Sequence, residues 1–370
     1  MKGTMPMQPI TNHPIFEDGK PVLWPKVERP RVESQVVYAT GSEWTYTHHP
    51  HLGVFGGRLW AMWSNGRVNE DRSGQRVMAA SSEDFVHWTP PRVIAEPRLM
   101  PDGSERVLTA AGFHSHAGTL VAYFGDYGPR KEGTRLWAMT TEDGETWSDW
   151  LDMGVPVCPN FGPSATRSRR LIIPGNISFP YTDDPSGLSG WTMTGIYPPD
   201  MADVTDDPDS FWVIAEKVGW PTAVCEGSFM QTDDGVLHML LRAELRGFRW
   251  RLWQTDSDDD GTTWCAAVET EYTDCNAKFH LGRLPDGRFY NVGNPLAGNR
   301  WPLIMSLSED GVSFDRHLVL GEGHWQMPPG AHKPGEYGYP HTVVHEGYVY
   351  VLVSRQKQAI EVLRVAVEDL

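Results

Sequence analysis

The stretch Ser257-Asp258-Asp259-Asp260-Gly261-Thr262-Thr263-Trp264 decides the fold of this chain. Weaker copies of the same phrase end at Trp88, Trp147 and Phe314. The phrase suits a tight turn between two strands, because Ser and Asp side chains bond nearby backbone N–H groups and Gly adopts positive φ. The closing aromatic residue can then pack between neighbouring strands. Copies that recur about every 40–60 residues predict the blades of a β-propeller.

A second repeat supports the first one. Six segments have the pattern of a β-hairpin, with an inner strand, a tight turn and an apolar returning strand such as Leu59-Trp60-Ala61-Met62-Trp63. Their turns fall at Gly57, Gly118, Ser168-Arg169, Gly235, Gly287 and Gly347. No window has a sustained helical period with caps. The sequence therefore predicts an all-β protein, a β-propeller of six or seven four-stranded blades.

The two ends of the chain are expected to close this ring. A seventh blade can be assembled from the first 40 residues and the C-terminal strand near 360–365, which would remove exposed sheet edges. No linker or low-complexity stretch divides the chain, and the proline-rich segment 180–208 is expected to form long loops. We therefore expect residues 1–370 to form a single propeller domain.

Composition excludes several classes of partner. The formal net charge of −16 opposes binding to nucleic acid or to an anionic membrane. The four cysteines, Cys158, Cys225, Cys265 and Cys275, lack C-x-x-C spacing and are expected to be buried thiols rather than disulfides. Residues 1–7 do not begin an apolar leader, and no apolar run is long enough to span a membrane. We expect a cytoplasmic protein, or a secreted or periplasmic one whose leader has been removed; the oligomeric state is left open.

Polar residues are concentrated where a propeller would gather them. The starts of the inner strands and the ends of the second strands lie on one face of the disc, so their side chains converge on one central pocket. Arg242 follows Glu226 by 16 residues and Asn65 follows His49 by the same offset, which indicates equivalent positions. The residues at these positions are His48, His49, Asn65, Arg67, His114, His116, Tyr123, Asp126, Asn160, Asn176, Glu226, Arg242, Lys278, His280, Asn291, Asn294, Tyr339, His341, Arg355 and Lys357.

Such a ring of cations, imidazoles and amides suits a polyhydroxylated ligand that carries a carboxylate, because the arginine fork can bind both carboxylate oxygens. The alternative is that these groups only cap strands and bond one another or water. No nucleophile elbow, P-loop, dinucleotide fingerprint or zinc-protease motif is present.

A metal site is left unassigned at this stage. His48-His49-Pro50-His51 looks like a metal cluster, but adjacent strand residues point to opposite faces, so at most two of its three histidines can meet one ion. No cofactor is expected to be required, although a structural calcium ion held by acidic loops is compatible with the sequence.

The repeated turn resembles the Asp-box, or BNR repeat, of the sialidase superfamily, which implies a propeller and favours seven blades. The segments 47–50, 63–67, 74–77, 278–288, 337–341 and 354–357 are similar to those of enzymes that cleave rhamnosyl-glucuronic acid ends of plant gums and to ulvan lyases. The resemblance covers residues 40–365. It implies that Arg242 neutralises a substrate carboxylate and that His49, His114 or His341 transfers a proton. Glu226 stands where a lyase would present tyrosine, which leaves room for hydrolysis with Glu226, and Asp126 as the second carboxylate, serving as acid or base.

The sequence therefore predicts an enzyme that cleaves a glycosidic bond at or next to a uronic acid in a plant or algal oligosaccharide or polysaccharide, by lyase or hydrolase chemistry. A sialidase-like exo-glycosidase is the first alternative, although the Arg-Ile-Pro motif of true sialidases is missing and their Tyr–Glu nucleophile pair has no obvious place. A non-catalytic glycan-binding propeller is the second.

Overall fold

Four-stranded antiparallel sheets are the main elements of the described part of the protein. The structure is a computed structural model that describes residues 8–12, 16–17, 20–21, 27–197, 210–244, 250–326 and 335–370. Its main sheets, numbered here in chain order, have four strands each, except sheet 3, which has three. The strands are Tyr46–Phe55, Arg58–Gly66, Arg76–Ser82 and Arg92–Ala95 in sheet 1; Val107–His116, Thr119–Tyr127, Arg135–Thr141 and Leu151–Asp152 in sheet 2; Ser164–Ala165, Leu171–Ile172 and Tyr181–Thr182 in sheet 3; Val224–Gln231, Leu237–Ala243, Arg251–Ser257 and Val268–Thr273 in sheet 4; His280–Arg283, Phe289–Gly293, Leu303–Ser308 and Arg316–Gly321 in sheet 5; and Gly338–His345, Tyr348–Arg355, Ala359–Ala366 and Val32–Ala39 in sheet 6.

A few shorter elements complete the chain. Thr11–Asn12 pairs in parallel with Ser313–Phe314, and Phe16–Glu17 pairs with Lys20–Pro21. A short 3-10 helix, Val367–Asp369, ends the chain. The all-β prediction is confirmed, and each of the six predicted hairpins is formed at its expected turn.

The two ends of the chain meet in sheet 6. Val32–Ala39 pairs antiparallel with Ala359–Ala366, as expected for termini that share a sheet. The expected seventh blade is not formed from these segments, however, because they complete the sheet that already contains Tyr348–Arg355. The physical reason is a tight turn in which Gln356 and Lys357 both have positive φ, so that the chain folds straight back onto the preceding strand.

The repeated phrase forms the predicted turns between the third and fourth strands of its sheets. In sheet 4 the Asp259 carboxylate accepts bonds from the Thr263 N–H at 2.8 Å and the Thr263 hydroxyl at 2.6 Å, while Ser257 Oγ accepts the Gly261 N–H at 2.8 Å. Trp264 is 1 % exposed and packs edge-on against Phe179. These bonds within the turn explain why the phrase recurs, and Asp259 does not line the pocket described below.

One α-helix, Ser210–Val218, is present in the part of the chain that the structure describes, and the sequence reasoning missed it. Its buried residues Phe211, Ile214 and Ala215 have helical spacing, and they pack in a core shared by sheets 3 and 4. At nine residues the helix is too short to give a sustained period. The proline-rich segment expected to form loops is described only up to residue 197.

Expectations about the cysteines and about membrane-spanning helices also came from composition. All four cysteines are buried free thiols, as predicted. Among the residues described, no helix has both the length and the apolar character needed to cross a membrane. Residues 1–7, on which the expectation about a leader rests, lie outside the described part.

We expect Asp259→Ala to lower the free energy of unfolding by about 1–3 kcal/mol, because it leaves the Thr263 donors without their charged acceptor. Thermal and urea unfolding measure this loss. Asp258→Ala, at the neighbouring exposed position, is the matched control and should change stability by less than about 0.5 kcal/mol. Equal effects of the two substitutions would contradict a specific role for Asp259.

Candidate functional site

A cavity of about 300 Å³ opens where inner strands of several sheets begin. Its walls come from sheets 1, 2, 4 and 6, from the segments that precede sheets 3 and 5, and from the helix Ser210–Val218. The lining residues are His49, Glu70, Asp71, Thr109, Tyr127, Lys131, Cys158, Pro159, Asn160, Asn176, Phe211, Trp212, Cys225, Glu226, Arg242, Glu244, Lys278 and Tyr339. The predicted convergence of polar groups on one pocket is therefore observed for part of the predicted set.

Three pocket residues occupy the same unusual backbone position. His49, Glu226 and Tyr339 each have a positive φ, of 52°, 51° and 55°, and each lies at a register shift in the first strand of its sheet. Such bulges redirect a side chain out of the normal alternation, and positive φ in a residue other than glycine costs energy of order 1–3 kcal/mol. Three equivalent strained positions around one cavity make it the candidate functional site.

Tyr339, Glu226 and Arg242 form the central cluster of this cavity. The Tyr339 hydroxyl donates to Glu226 Oε1 at 2.5 Å, and Arg242 Nη1 donates to the same hydroxyl oxygen at 3.1 Å. Arg242 also forms ion pairs with Glu226 and with Glu244. Arg242 can reach Glu226 because of the strand register: in the first two strands of sheet 4, Arg242 lies opposite Cys225, the residue before Glu226. The phenol is thus held between a carboxylate and a guanidinium.

The charges of this cluster are fixed by its surroundings. Burial raises the pKa of Glu226, but the positive charges of Arg242 and Lys278 and the Tyr339 O–H outweigh burial, so the pKa is lowered overall. Burial and the nearby Glu226 charge raise the pKa of Tyr339 well above its usual value. At neutral pH the pair is therefore an ionised carboxylate next to a protonated phenol, which is the arrangement of a base with its acid.

Two further cations lie against the same tyrosine. Lys278 Nζ is 4.9 Å from the centre of the Tyr339 ring and donates to the Asn160 carbonyl oxygen at 2.9 Å. The Arg300 guanidinium is also 4.9 Å from that ring, and its Nη1 is buried without a hydrogen-bond partner. Burial lowers the pKa of Lys278, although the charge of Glu226 opposes that effect. The pocket thus collects positive charge where an anionic group of a ligand could be held.

Carboxylates form another wall of the cavity. Glu70 Oε1 lies 3.1 Å from His49 Nε2, and the second Glu70 oxygen pairs with Lys357. Burial raises the pKa of Glu70, but Lys357 and His49 lower it well below its usual value overall. Asp71 Oδ1 accepts the Tyr127 hydroxyl at 2.5 Å, and its other oxygen lies 3.4 Å from Lys131 Nζ.

A histidine cluster, defined here as His51, His280 and His341, packs around Phe161. The ring centres of His280 and His341 are 4.4 Å apart, and those of His51 and His341 are 5.2 Å apart. Phe161 contacts this cluster, while Lys278 on the pocket side is 5.4 Å from the Phe161 ring. Burial lowers the pKa of all three histidines, to about 3 for His280.

The structure brings together only some of the predicted site residues. His49, Asn160, Asn176, Glu226, Arg242, Lys278 and Tyr339 line the cavity, and His48 and Lys357 contact that lining. The others are engaged elsewhere: Asn65 donates to the Tyr46 carbonyl, Arg67 pairs with Glu105, His114 bonds the Pro185 carbonyl and stacks with His116, Tyr123 donates to the Gly187 carbonyl, Asp126 pairs with Arg106, Arg355 pairs with Glu361, Asn294 donates to the Pro302 carbonyl, Asn291 lies in a separate small cavity, and His280 and His341 belong to the histidine cluster.

Sequence reasoning missed Glu70, Asp71 and Glu244. Glu70 and Asp71 follow the second strand of sheet 1 in a loop, and Glu244 lies two residues after Arg242. Only the acidic character of that loop could have pointed to the first two. The contact between Tyr339 and Glu226 could not be seen in the sequence, because the two residues are 113 positions apart and meet only in the folded chain.

Comparison with known proteins agrees with the fold. The sequence profile of the BNR repeat-like domain family matches residues 57–351. A protein of unknown function from Dyadobacter fermentans is similar with a TM-score of 0.65 at 13 % identity, over 90 % of this chain and 99 % of that one. The Hadza microbial sialidase Hz136 has a TM-score of 0.68 at 14 % identity, over 91 % of this chain and 69 % of that one.

Another solved sialidase has a TM-score of 0.66 at 16 % identity, and it matches 97 % of this chain but only 35 % of its own length. The chain thus spans about a third of that protein. No protein of curated function matches the chain by sequence. At these identities the structural likeness establishes the propeller-like fold alone.

The histidine cluster predicts acid sensitivity. Because its folded-state pKa values lie below the unfolded value of about 6.5, the unfolded chain binds more protons below that pH, and stability present above pH 6.5 is lost as pH falls. For His280, with a folded pKa of about 3, the loss between pH 7 and pH 5 is about 2 kcal/mol. Urea unfolding of His280→Asn should show a pH dependence smaller by that amount, whereas exposed His116→Asn should match the parent. An unchanged pH dependence in His280→Asn would contradict the assignment.

Proposed function

Because the chain belongs to the BNR repeat-like domain family, we propose that it is a glycosidase that removes a terminal sugar carrying a carboxylate, with Tyr339 as the nucleophile. The observation that carries the proposal is the 2.5 Å bond from the Tyr339 hydroxyl to the ionised Glu226. A phenol activated by an adjacent base is an established design for covalent catalysis. The solved sialidases to which the chain is similar have the same type of fold.

The chemistry follows from the contacts. Glu226 takes the Tyr339 proton as the phenol oxygen attacks the anomeric carbon, and Arg242, 3.1 Å from that oxygen, stabilises the developing phenolate. Of the carboxylates on the neighbouring wall, Glu70 is held ionised by Lys357 and His49. Asp71 is likewise paired, with Lys131, so neither carboxylate is assigned as the proton donor: the leaving group takes its proton from solvent, and a water molecule then hydrolyses the bond between Tyr339 and the sugar.

The same design indicates where the substrate carries its charge. A carboxylate nucleophile would be repelled by a carboxylate on the anomeric carbon, whereas a neutral phenol approaches it without repulsion. Lys278 lines the pocket beside the phenol and can pair with that substrate carboxylate, and Arg242, which already bonds Glu226, Glu244 and Tyr339, adds positive charge next to it. A 2-keto-acid sugar of the sialic acid type therefore fits this pocket better than a uronic acid does.

A uronate lyase is the second candidate. The Tyr339 and His49 rings lie 5.5 Å apart in the same pocket, so an acid and a base are both within reach of one sugar, with Arg242 beside them to neutralise its carboxylate. This candidate retains the uronic acid specificity that the sequence favours.

For the architecture, we propose that the sheets described above are six blades of a closed ring within one domain. The pairing of Val32–Ala39 with Ala359–Ala366 and the convergence of inner strands on one cavity support this arrangement.

Removing the pair should abolish turnover without unfolding the protein. We expect Glu226→Gln to lower kcat by about 10²–10⁴, since the phenol loses its base, and Tyr339→Phe to lower it at least as much. Release of a fluorescent aglycone measures kcat, and thermal melting checks folding. Tyr337→Phe is the matched control, because Tyr337 is a buried tyrosine that packs on Arg355 outside the pocket. A Tyr339→Phe enzyme within a few-fold of the parent would exclude the nucleophile assignment.

Substrate class can be separated from mechanism. We expect aryl glycosides of 2-keto-acid sugars to be cleaved and aryl uronides to be poor substrates. In a second assay the protein is incubated with uronate-containing plant and algal polysaccharides. An increase in ultraviolet absorbance from unsaturated products would identify a lyase. Unsaturated product together with inert keto-acid glycosides would reverse our order of candidates, and binding without any cleavage would indicate a glycan-binding protein.

Arg242→Lys tests the carboxylate contact. Lysine keeps the charge but cannot make the paired bonds of a guanidinium, so we expect kcat/KM to fall by about 10–100-fold. An unaltered kcat/KM on a carboxylated substrate would remove Arg242 from the site.

A further inference from the structure

His48, His49 and Glu70 form a cluster that the proposed reaction does not require. Each offers one ligand atom, and the three atoms lie within 4.8 Å of one another. The cluster exists because the bulge at His49 interrupts strand alternation, which places two successive histidines beside the same glutamate. His51, the next histidine, is turned away into the histidine cluster.

The hydrogen bonds of the two imidazoles point to a metal site. His48 Nδ1 is bonded to Ser354 Oγ at 2.5 Å, and His49 Nδ1 to Ser64 Oγ at 3.1 Å. Both rings therefore have their second nitrogen, Nε2, available for the cluster. Histidine ligands of metals characteristically bond a protein group through the other nitrogen, which fixes the ring and its tautomer.

A second observation is independent of this pattern. The His48 side chain is completely buried, and its Nε2 has no hydrogen-bond partner. A buried nitrogen left unpaired costs about 1–3 kcal/mol, so the fold retains an unfavourable atom next to two other donors. A bound ion would remove that cost.

We propose that His48, His49 and Glu70 bind a divalent first-row transition-metal ion of the zinc type. Two imidazoles and one carboxylate are an established donor set for such ions, and three protein ligands leave a coordination position free. Because His49 and Glu70 line the cavity, that position faces the pocket. The site lies beside Tyr339, whose ring centre is 4.1 Å from that of His48.

Binding requires small adjustments. Ligand atoms about 2.1 Å from a tetrahedral ion are about 3.4 Å apart, so side-chain rotation must bring a pair that is up to 4.8 Å apart closer by up to about 1.4 Å. The contact between His49 Nε2 and Glu70 Oε1, 3.1 Å, is already short enough.

Lys357 opposes the ion. Its ammonium pairs with the second oxygen of Glu70, so the metal must bind next to a positive charge. Lys357 should therefore weaken metal binding. Replacing Lys357 should raise the metal affinity, whereas replacing one of the ligands should lower it.

The test uses the full chain stripped with chelator and titrated with ZnCl₂ in a calorimeter, and with CoCl₂ followed by visible absorption. We expect one ion per chain, cobalt bands typical of nitrogen and oxygen ligands, and a rise in melting temperature with zinc. None of these three readouts depends on the proposed glycosidase activity, so the metal site and that function can fail separately.

Variants distinguish this site from surface binding. Glu70→Gln and His49→Gln should each weaken zinc at least 10-fold, and Lys357→Met should strengthen it. His87→Gln, at an exposed histidine beside Asp84, is the control and should bind zinc like the parent. His48→Gln is informative where it folds, and the partly exposed Glu70 and Lys357 positions keep the test valid where it does not. Absence of stoichiometric binding, or affinity unchanged by Glu70→Gln and His49→Gln, would overturn the proposal.

Discussion

The ion pair between Glu226 and Arg242 is the constraint on which the rest of the pocket depends. Both side chains are mostly buried, at 13 % and 12 % exposure, where an unpaired charge is costly, and Arg242 is paired with Glu244 as well. Their pairing is possible because sheet 4 places the two residues next to each other across adjacent strands. The pair then holds the Tyr339 hydroxyl, which belongs to sheet 6, and so joins two sheets that are distant in sequence.

The backbone bulges give the pocket its chemistry. A regular strand would direct successive side chains to opposite faces, and only every second residue could contribute to the cavity. Positive φ at His49, Glu226 and Tyr339 breaks this alternation at the same point of three sheets. The strain is compensated by the bonds that these three side chains make, which is why the polar contacts and the backbone geometry must be considered together.

Local patterns allowed most of the fold to be predicted. The hydrogen bonds of a turn are made by contiguous residues such as 257–264, and a hairpin needs only two neighbouring strands. Both could therefore be recognised without tertiary information. The helix Ser210–Val218 was missed because nine residues carry too little periodicity. The C-terminal strand was given to a separate blade because joining it to the first 40 residues would remove exposed sheet edges. The tight turn at Gln356 and Lys357, which returns the chain to the preceding strand, contains no glycine and was not recognised.

The site could be predicted only in part. The position of a polar residue in a strand does not determine whether its side chain lines the pocket or pairs with another residue of the protein. Arg242 and Glu226 were found from their shared offset, but Arg355 and Asp126 occupy similar strand ends and are neutralised by Glu361 and Arg106 instead. The sequence does not show that Arg355 will pair with Glu361 or Asp126 with Arg106, because each pair forms only in the folded chain.

The charge of the whole chain and the charge inside the pocket must also be considered separately. The chain carries a net charge of −16, which at face value disfavours an anionic ligand. Salt screens that field within about 8–10 Å, however, so the charges that a bound sugar meets are those of the pocket wall. There Arg242 and Lys278 lie beside one buried tyrosine in a region of low dielectric constant, where each unit of charge has more effect than at the surface. The wall also carries four carboxylates, Glu70, Asp71, Glu226 and Glu244, so an acidic sugar can bind only where its own carboxylate lies next to Lys278 and Arg242, and the net charge of the chain does not decide the matter.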